Sequence, residues 1–158
     1  MCCDEEIVKT SYEIKTTLGR IIQPFRYVNS LIQEGVFLDL GSGEGNILDV
    51  AKYYFPKMEL WGIEINPDLV KDHKNVWVGN MFNYKHKIRQ ATVIYIYEPF
   101  RIKYVKTMLE VIIPKSTAIK YIILNSVSYV YGGGIKILRS YFDNRDVRCR
   151  EHITILAR

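Results

Sequence analysis

The sequence predicts an α/β protein in which one mostly parallel sheet has helices on both faces, a doubly wound arrangement. Three observations support this fold class. A short apolar run at 36–40 leads directly into a glycine-rich turn, strand-like and helix-like segments then alternate, and the run at 91–97 is almost unbroken in β-branched and aromatic residues, as in a strand buried on both faces. The length predicts one domain, 1–158, with a helical segment at 1–34 before a core at 35–158.

Each predicted element follows from its local pattern. Apolar residues recur at three- and four-residue steps through 11–32, which predicts one or two amphipathic helices there. Asn66 and Pro67 are the N-cap and the first residue of a predicted helix. The other predicted helices are 45–55, 101–113 and 135–142, and the predicted strands are 36–40, 59–65, 75–78, 91–97, 119–124, 147–151 and 153–157. The last two strands are close enough to form an antiparallel hairpin.

The turn after the first strand reads D-L-G-S-G-E-G over residues 39–45. A strand, a glycine turn and a helix in succession are typical of a nucleotide-type cofactor site, since glycine permits positive φ and close approach of a ligand to the backbone. The spacing is G-x-G-x-G, which differs from the G-x-G-x-x-G of dinucleotide sites. The carboxylate of Asp39 would repel a pyrophosphate and would favour a cationic ligand.

This turn resembles the first motif of class I S-adenosylmethionine-dependent methyltransferases. The resemblance implies a sheet of seven strands with a C-terminal antiparallel hairpin, S-adenosylmethionine at its C-terminal edge, and direct methyl transfer to an acceptor. It also implies that Asp39 holds the amino-acid part of the cofactor, while Gly41, Ser42 and Gly43 form the turn around it. The D-L-G-S-G spelling is common in the protein-lysine methyltransferases of this class.

Further cofactor contacts are expected at the ends of the second and third strands. Glu64 lies about 20 residues after the glycines, where dinucleotide folds place an acid that accepts from the ribose. The resemblance gives Glu64 both ribose hydroxyls and places Ile65 on the adenine face. It places Asn80 at the adenine amine, in a position where related enzymes often carry an acid, and gives the backbone N–H of Met81 to the adenine ring.

The fourth strand ends in Tyr97-Glu98-Pro99-Phe100, at the position of the acceptor-side motif of the class. This stretch resembles the D/N-P-P-Y/F motif of amine methyltransferases and, more closely, the Y-N-P-F of small members, with Glu98 replacing Asn or Asp. Proline holds the preceding residue extended, so we expect Tyr97, Glu98 and Phe100 to face the acceptor. Tyr12 matches a tyrosine that related enzymes place over the cofactor.

The formal charge of +5 is unevenly distributed, with −2 over residues 1–100 and +7 over residues 101–158. A basic C-terminal third can meet nucleic acid or another acidic partner, although its charges are dispersed and a solvated surface is the simpler interpretation. Three cysteines, Cys2, Cys3 and Cys149, cannot all pair within one chain, which favours a reducing, cytoplasmic location. No signal segment, membrane span or metal-ligand spacing is found, so neither a membrane nor a metal is expected.

The acceptor stays open at this stage. A protein lysine fits the D-L-G-S-G spelling and the acidic Glu98, whereas a nucleic-acid base fits stacking on Phe100 and the basic C-terminal third; a small molecule is the third alternative. Because Glu98 departs from the motif, a catalytically silent subunit that binds S-adenosylmethionine is also considered. A nicotinamide-dependent oxidoreductase is disfavoured by the glycine spacing. The sequence does not determine the oligomeric state.

Overall fold

The computed structural model of the chain describes residues 21–70, 73–97, 106–125, 143–150 and 153–157. Its strands are β1 (Gly35–Leu40), β2 (Met58–Glu64), β3 (Val76–Val78), β4 (Val93–Tyr97), β5 (Tyr121–Asn125), β6 (Asp143–Arg150) and β7 (Ile153–Ala157). They lie in the order β3-β2-β1-β4-β5-β7-β6 within one sheet. Strands β1 to β5 pair in parallel, whereas β7 is antiparallel to both β5 and β6. The predicted mixed α/β fold with a C-terminal antiparallel pair is confirmed.

The strand order reverses direction between β1 and β4. From β1 the chain moves outwards to β2 and β3, and then returns to place β4 on the other side of β1. In open α/β sheets, ligands bind outside the carboxyl ends of the strands at such a switch point. The glycine turn follows β1 directly and therefore lies at this position.

The helical elements differ in type from the predictions in two places. Helix α1 includes residues 21–31, α2 is Asn46–Tyr54, and a 3₁₀ turn at Met81–Tyr84 runs into α3 (Lys85–Ile88). The predicted helix after Asn66 is a 3₁₀ turn over Pro67–Leu69, in which the Asn66 side chain does cap the Asp68 N–H at 3.0 Å.

The second difference concerns the predicted helix at 101–113. Residues 106–107 are α-helical, but Met108–Ile112 form a π-helix and Ile113–Lys115 a 3₁₀ turn. Pro114 has no N–H to donate and its ring hinders a regular α-helical turn, which explains the change of helix type in front of it. The predicted helix at 135–142 lies outside the described residues.

Both faces of the sheet are covered. On one face α1 and α2 pack against the sheet through an aromatic cluster, in which the Phe25 ring contacts Phe37, Phe55 and Tyr95 at centroid distances of 5.3 to 5.9 Å. On the other face α3 and the segment 108–119 cover the alternate strand residues, such as Ile94 and Ile96 of β4. Burial of β4 on both faces explains its continuous apolar sequence.

Candidate functional site

The glycine turn bends back over the end of β2. The N–H groups of Gly41 and Ser42 both donate to the carbonyl of Ile63, at 2.8 and 3.1 Å. Gly41, Gly43 and Gly45 have φ values of 83°, 52° and 86°, the left-handed region that glycine enters at least cost. The left-handed backbone therefore explains why glycine occupies each of these three positions. Gly45 is also the N-cap residue of α2.

Glu64 connects the ends of three strands. Its Oε2 accepts a hydrogen bond from the N–H of Gly43 and its Oε1 accepts one from the N–H of Asn66, both at 2.8 Å. Its backbone carbonyl accepts from the N–H of Gly79 at 2.8 Å, just after β3. Glu64 as a whole residue is only 7% exposed, and these bonds fix its carboxylate beside the turn.

Asp39 and Ser42 carry polar atoms without hydrogen-bond partners. Asp39 Oδ2 and Ser42 Oγ are buried and have no donor or acceptor within bonding distance among the described residues. Burial, followed by the nearby negative charge of Glu64, raises the pKa of Asp39 to about 8. Buried polar groups are normally paired, so this pair of atoms indicates a ligand that supplies the missing donors.

Gly43 leaves open space above the turn. A Cβ built on Gly43 would meet nothing within 4 Å, whereas one on Gly45 would overlap the His73 ring, and one on Gly62 would lie 2.7 Å from Ser42 Oγ. His73 is thus a packing residue, as its isolation from other possible metal ligands predicts, whereas Gly62 was not singled out in the sequence analysis. A glycine inside a strand pattern often marks a close backbone approach, so Gly62 had a signal in the sequence.

The predicted adenine-side residues gather at the same edge. Ile65 is 70% exposed, an unusual state for an isoleucine, and the Val78 side chain is also exposed nearby. Asn80 Oδ1 accepts from the N–H of Phe82 at 3.0 Å and so caps the following 3₁₀ turn. The Met81 side chain is buried in the core, which leaves only its backbone for the predicted contact.

The acceptor side is described up to the end of β4. Tyr97 is half-buried and pairs in register with Asn125, the last residue of β5. Asn125 Nδ2 donates to the hydroxyl of Tyr95 at 2.8 Å within the buried core. Burial raises the pKa of Tyr95, against a smaller opposing effect of the Asn125 bond, so this phenol stays protonated. Asn125 was not singled out in the sequence analysis.

Several predicted positions cannot be placed. Tyr12, Glu98 and Phe100 lie outside the described residues, as does the rest of the acceptor-side motif. Within the part of the chain that the structure describes, no three His, Cys, Asp or Glu side chains are grouped in a way that would bind a metal ion. None of the helices described there has the length and apolar character needed to cross a membrane.

Comparison with known proteins gives a likeness of fold. No protein-family model matches the chain and no curated protein matches it. Among solved structures, the chain is similar to an S-adenosylmethionine-dependent methyltransferase from Archaeoglobus fulgidus, with 20% identity, a TM-score of 0.55, and 71% of this chain and 52% of that one covered. It is also similar to the methyltransferase domain of bacterial CtHen1-C, with 12% identity, a TM-score of 0.61, and 88% and 96% covered.

A third similar structure is the plantazolicin methyltransferase BpumL, solved in complex with a monoazolic desmethylPZN analogue and SAH. Its identity to this chain is 18% and the TM-score is 0.57, with 88% of this chain and 62% of that one covered. The chain thus spans about half of the first of these proteins and 62% of BpumL. These likenesses establish that the chain has the fold of class I S-adenosylmethionine-dependent methyltransferases.

Proposed function

We propose that this protein is an S-adenosylmethionine-dependent methyltransferase that transfers a methyl group to an amine nitrogen, with a protein lysine as acceptor. The observation that carries the proposal is the glycine turn itself. Asp39 Oδ2 and Ser42 Oγ are buried there without hydrogen-bond partners in the part of the chain that the structure describes, and the space above Gly43 is open. The fold of the chain supports the same conclusion.

Asp39 is suited to a cationic group. A buried carboxyl whose pKa is raised to about 8 is ionised readily once a positive charge approaches, because an opposite charge favours the charged form. The ammonium of the cofactor's amino-acid part supplies such a charge and also hydrogen-bond donors. The phosphates of a dinucleotide would bring no positive charge and would instead keep the carboxyl protonated.

Glu64 is suited to the two ribose hydroxyls. Each of its carboxylate oxygens accepts one backbone N–H, and an ionised carboxylate has about four lone-pair sites in all. Each oxygen therefore retains the capacity to accept one hydroxyl. Because the backbone bonds hold the carboxylate in place, little conformational freedom is lost when a ligand binds.

The adenine is expected to lie against Ile65 and Val78. These two exposed apolar side chains would be covered by a planar ring, which would remove apolar surface from water. We further propose that Asn80 and the backbone N–H of Met81 contact the ring edge. The Asn80 amide is exposed and bonds one backbone N–H through its oxygen, so its NH₂ group and the second lone pair of that oxygen are available.

When bound, S-adenosylmethionine supplies an electrophilic methyl group on a sulfonium. The protein's part is to hold the acceptor nitrogen in line and to exclude water. Tyr97 ends β4 at this edge, and we propose that it lines the acceptor channel together with Phe100. A lysine must release its proton to solvent and enter as the neutral amine before it reacts, and we propose that Glu98 then accepts a hydrogen bond from its nitrogen.

Transfer of labelled methyl groups tests this function. The full-length protein is incubated with methyl-tritiated S-adenosylmethionine and a cell lysate, and the labelled products are treated separately with protease and ribonuclease. We expect label that protease releases and ribonuclease does not, recovered as methyl-lysine after hydrolysis. At a cofactor concentration near the dissociation constant of wild type, Glu64→Gln is expected to reduce labelling at least about fivefold, while Glu59→Gln, an exposed glutamate of the same strand, is expected to preserve it.

Three results would count against parts of the proposal. Label released by ribonuclease would show that the acceptor is a nucleic acid. Label found in small molecules would show that the acceptor is neither a protein nor a nucleic acid. Tight S-adenosylmethionine binding without label in any fraction would identify a cofactor-binding protein that performs no transfer.

A further inference from the structure

A groove lies on the sheet face opposite α1 and α2. It runs between α3 and the helical segment that precedes β5, and its volume is about 400 Å³, within the range of small-ligand pockets. Its lining residues come from these two elements and from the turn before α3: Phe82, Lys85, Arg89, Thr107, Val111, Ile112 and Lys115.

The two walls of the groove are tied together at one end. Ser116 Oγ donates to the carbonyl of Arg89 at 2.6 Å, and Arg89 Nε donates to the carbonyl of Ile112 at 3.4 Å. The same Ser116 oxygen accepts the N–H of Ala118 at 3.1 Å. These bonds hold the C-terminal end of α3 against the segment before β5, so the groove is a preformed feature of the fold.

The groove is positively charged and has no acidic lining residue among those described. Lys85 and Arg89 lie on one wall and Lys115 on the other. Lys85 and Lys115 are exposed, and no ion pair is present between them and the described residues. Among the described residues, Arg89 donates one of its five N–H groups, the Nε–H, to a protein acceptor. Three cations around one groove attract a ligand with several negative charges.

Apolar groups line the same groove. The Phe82 ring is half-buried, Ile112 is buried, and Val111 is 48% exposed. A nucleotide joins an anionic phosphate to a planar ring that packs on apolar surface, whereas a run of aspartate or glutamate side chains offers only charge. The combination of cations with apolar lining therefore favours nucleic acid over an acidic peptide.

We propose that this groove binds single-stranded nucleic acid, with Lys85, Arg89 and Lys115 at the phosphates and Phe82 and Val111 against a base. The groove adjoins the proposed adenine edge at Phe82, which directly follows Met81, but its other, cationic end lies away from the cofactor site. Arg89 and Lys115 stand in the segments that lead into the N-terminal ends of β4 and β5, whereas the glycine turn follows the C-terminal end of β1. The inference does not depend on the proposed methyl transfer.

The test is binding of a fluorescein-labelled oligouridine of about 20 nucleotides to the full chain, followed by fluorescence anisotropy between about 50 and 200 mM salt. The groove variant is Lys85→Gln with Lys115→Gln, both exposed side chains whose loss leaves the Ser116 and Arg89 bonds intact. The matched control is Lys57→Gln with Lys74→Gln, which removes the same charge from exposed positions outside the groove. Thermal melting is used to verify that both variants are folded.

We expect the groove variant to bind the oligonucleotide at least about fivefold more weakly, and its salt slope to fall by roughly 1.4, which is two contacts at about 0.7 each. The control should stay within about twofold of wild type. Equal weakening in both variants would show that only net charge matters and would overturn the proposal. Absence of binding by wild type, or displacement of the oligonucleotide by polyglutamate at equal charge concentration, would also overturn it.

Discussion

The carboxylate of Glu64 accepts a hydrogen bond from the N–H of Gly43 at 2.8 Å and so joins the end of β2 to the turn that follows β1. Its second oxygen accepts the N–H of Asn66, also at 2.8 Å. The Glu64 side chain therefore holds the glycine turn in place, and each of its oxygens can still accept one further hydrogen bond from a ligand. This double role means that substitutions at Glu64 should affect both stability and binding.

Replacement of Glu64 by alanine should destabilise the fold in the absence of any ligand. The substitution leaves two backbone N–H groups without their acceptor, and hydrogen bonds to charged groups contribute about 1.5–3 kcal/mol each. We expect the free energy of unfolding, measured by urea denaturation, to fall by about 3 kcal/mol. Glu59→Ala, which removes an exposed bond to Trp61, should change it by less than about 0.5 kcal/mol. Equal effects of the two substitutions would contradict this role of Glu64.

Asp39 should make the protein less stable as the pH rises. Its pKa is about 8 in the folded chain, above the ordinary value of 3.8, so between these values the folded state holds a proton that the unfolded state has released. Stability then falls as pH rises from about 4 towards 8 and changes no further above that.

The isosteric variant Asp39→Asn lacks this titration. We expect it to melt at a higher temperature than wild type at pH 8, by several degrees, since 1 kcal/mol corresponds to roughly 2–4 °C for a chain of this size. Near pH 4 the two melting temperatures should converge. Parallel pH profiles for the two proteins would show that Asp39 is ionised in the free fold.

Binding of S-adenosylmethionine should release a proton near neutral pH. Asp39 is mostly protonated below pH 8 in the free protein, and a bound ammonium favours its ionised form. The affinity should therefore rise with pH between about 6 and 8, by at most tenfold per pH unit. Calorimetry at pH 6.5 in two buffers of different ionisation enthalpy measures the released proton directly. Asp39→Asn should bind weakly and release no proton, and equal heats in both buffers for wild type would refute the linkage.

Alanine substitutions at Gly43 and Gly45 should have different effects. At Gly43 the added Cβ has free space, so the cost is the left-handed backbone alone, about 1–2 kcal/mol, while the methyl group projects into the space proposed for the cofactor. We expect Gly43→Ala to remain folded and to bind S-adenosylmethionine at least tenfold more weakly. At Gly45 the φ of 86° carries the same kind of backbone cost and the added Cβ displaces the His73 ring, so we expect a loss of thermal stability at least as large as that of Gly43→Ala. Retained binding in Gly43→Ala would place the cofactor elsewhere.

The parts of the site that follow from local pattern were predictable from sequence. The succession of strand, glycine turn and helix predicted β1 and α2 to within one or two residues. The acidic residues Asp39 and Glu64 lie at the ends of β1 and β2, as expected. These features depend on a few consecutive residues and on the length of the connection between β1 and β2. The hairpin of β6 and β7 was predicted for the same local reason.

Features that depend on tertiary contact were not predictable in this way. The pairing of Asn125 with Tyr95 joins residues 30 positions apart, and the His73 ring approaches Gly45 from a different segment. The basic groove likewise brings Lys85 close to Lys115. No periodic pattern in the sequence indicates that these two residues lie near each other. Residues Met108–Ile112 form a π-helix instead of the predicted α-helix. Pro114 hinders a regular α-helical turn in front of it, an effect that the apolar periodicity of the segment does not reveal.

The most direct test of the account is calorimetric titration of the folded protein with S-adenosylmethionine and, separately, with NAD. Wild type is compared with Glu64→Gln and with the matched variant Glu59→Gln. We predict micromolar binding of S-adenosylmethionine to wild type and to Glu59→Gln, at least tenfold weaker binding to Glu64→Gln, and no binding of NAD. Folded wild-type protein that binds no S-adenosylmethionine, or a Glu64→Gln variant that binds it as tightly as wild type, would contradict the assignment of the glycine turn and Glu64 as the cofactor site.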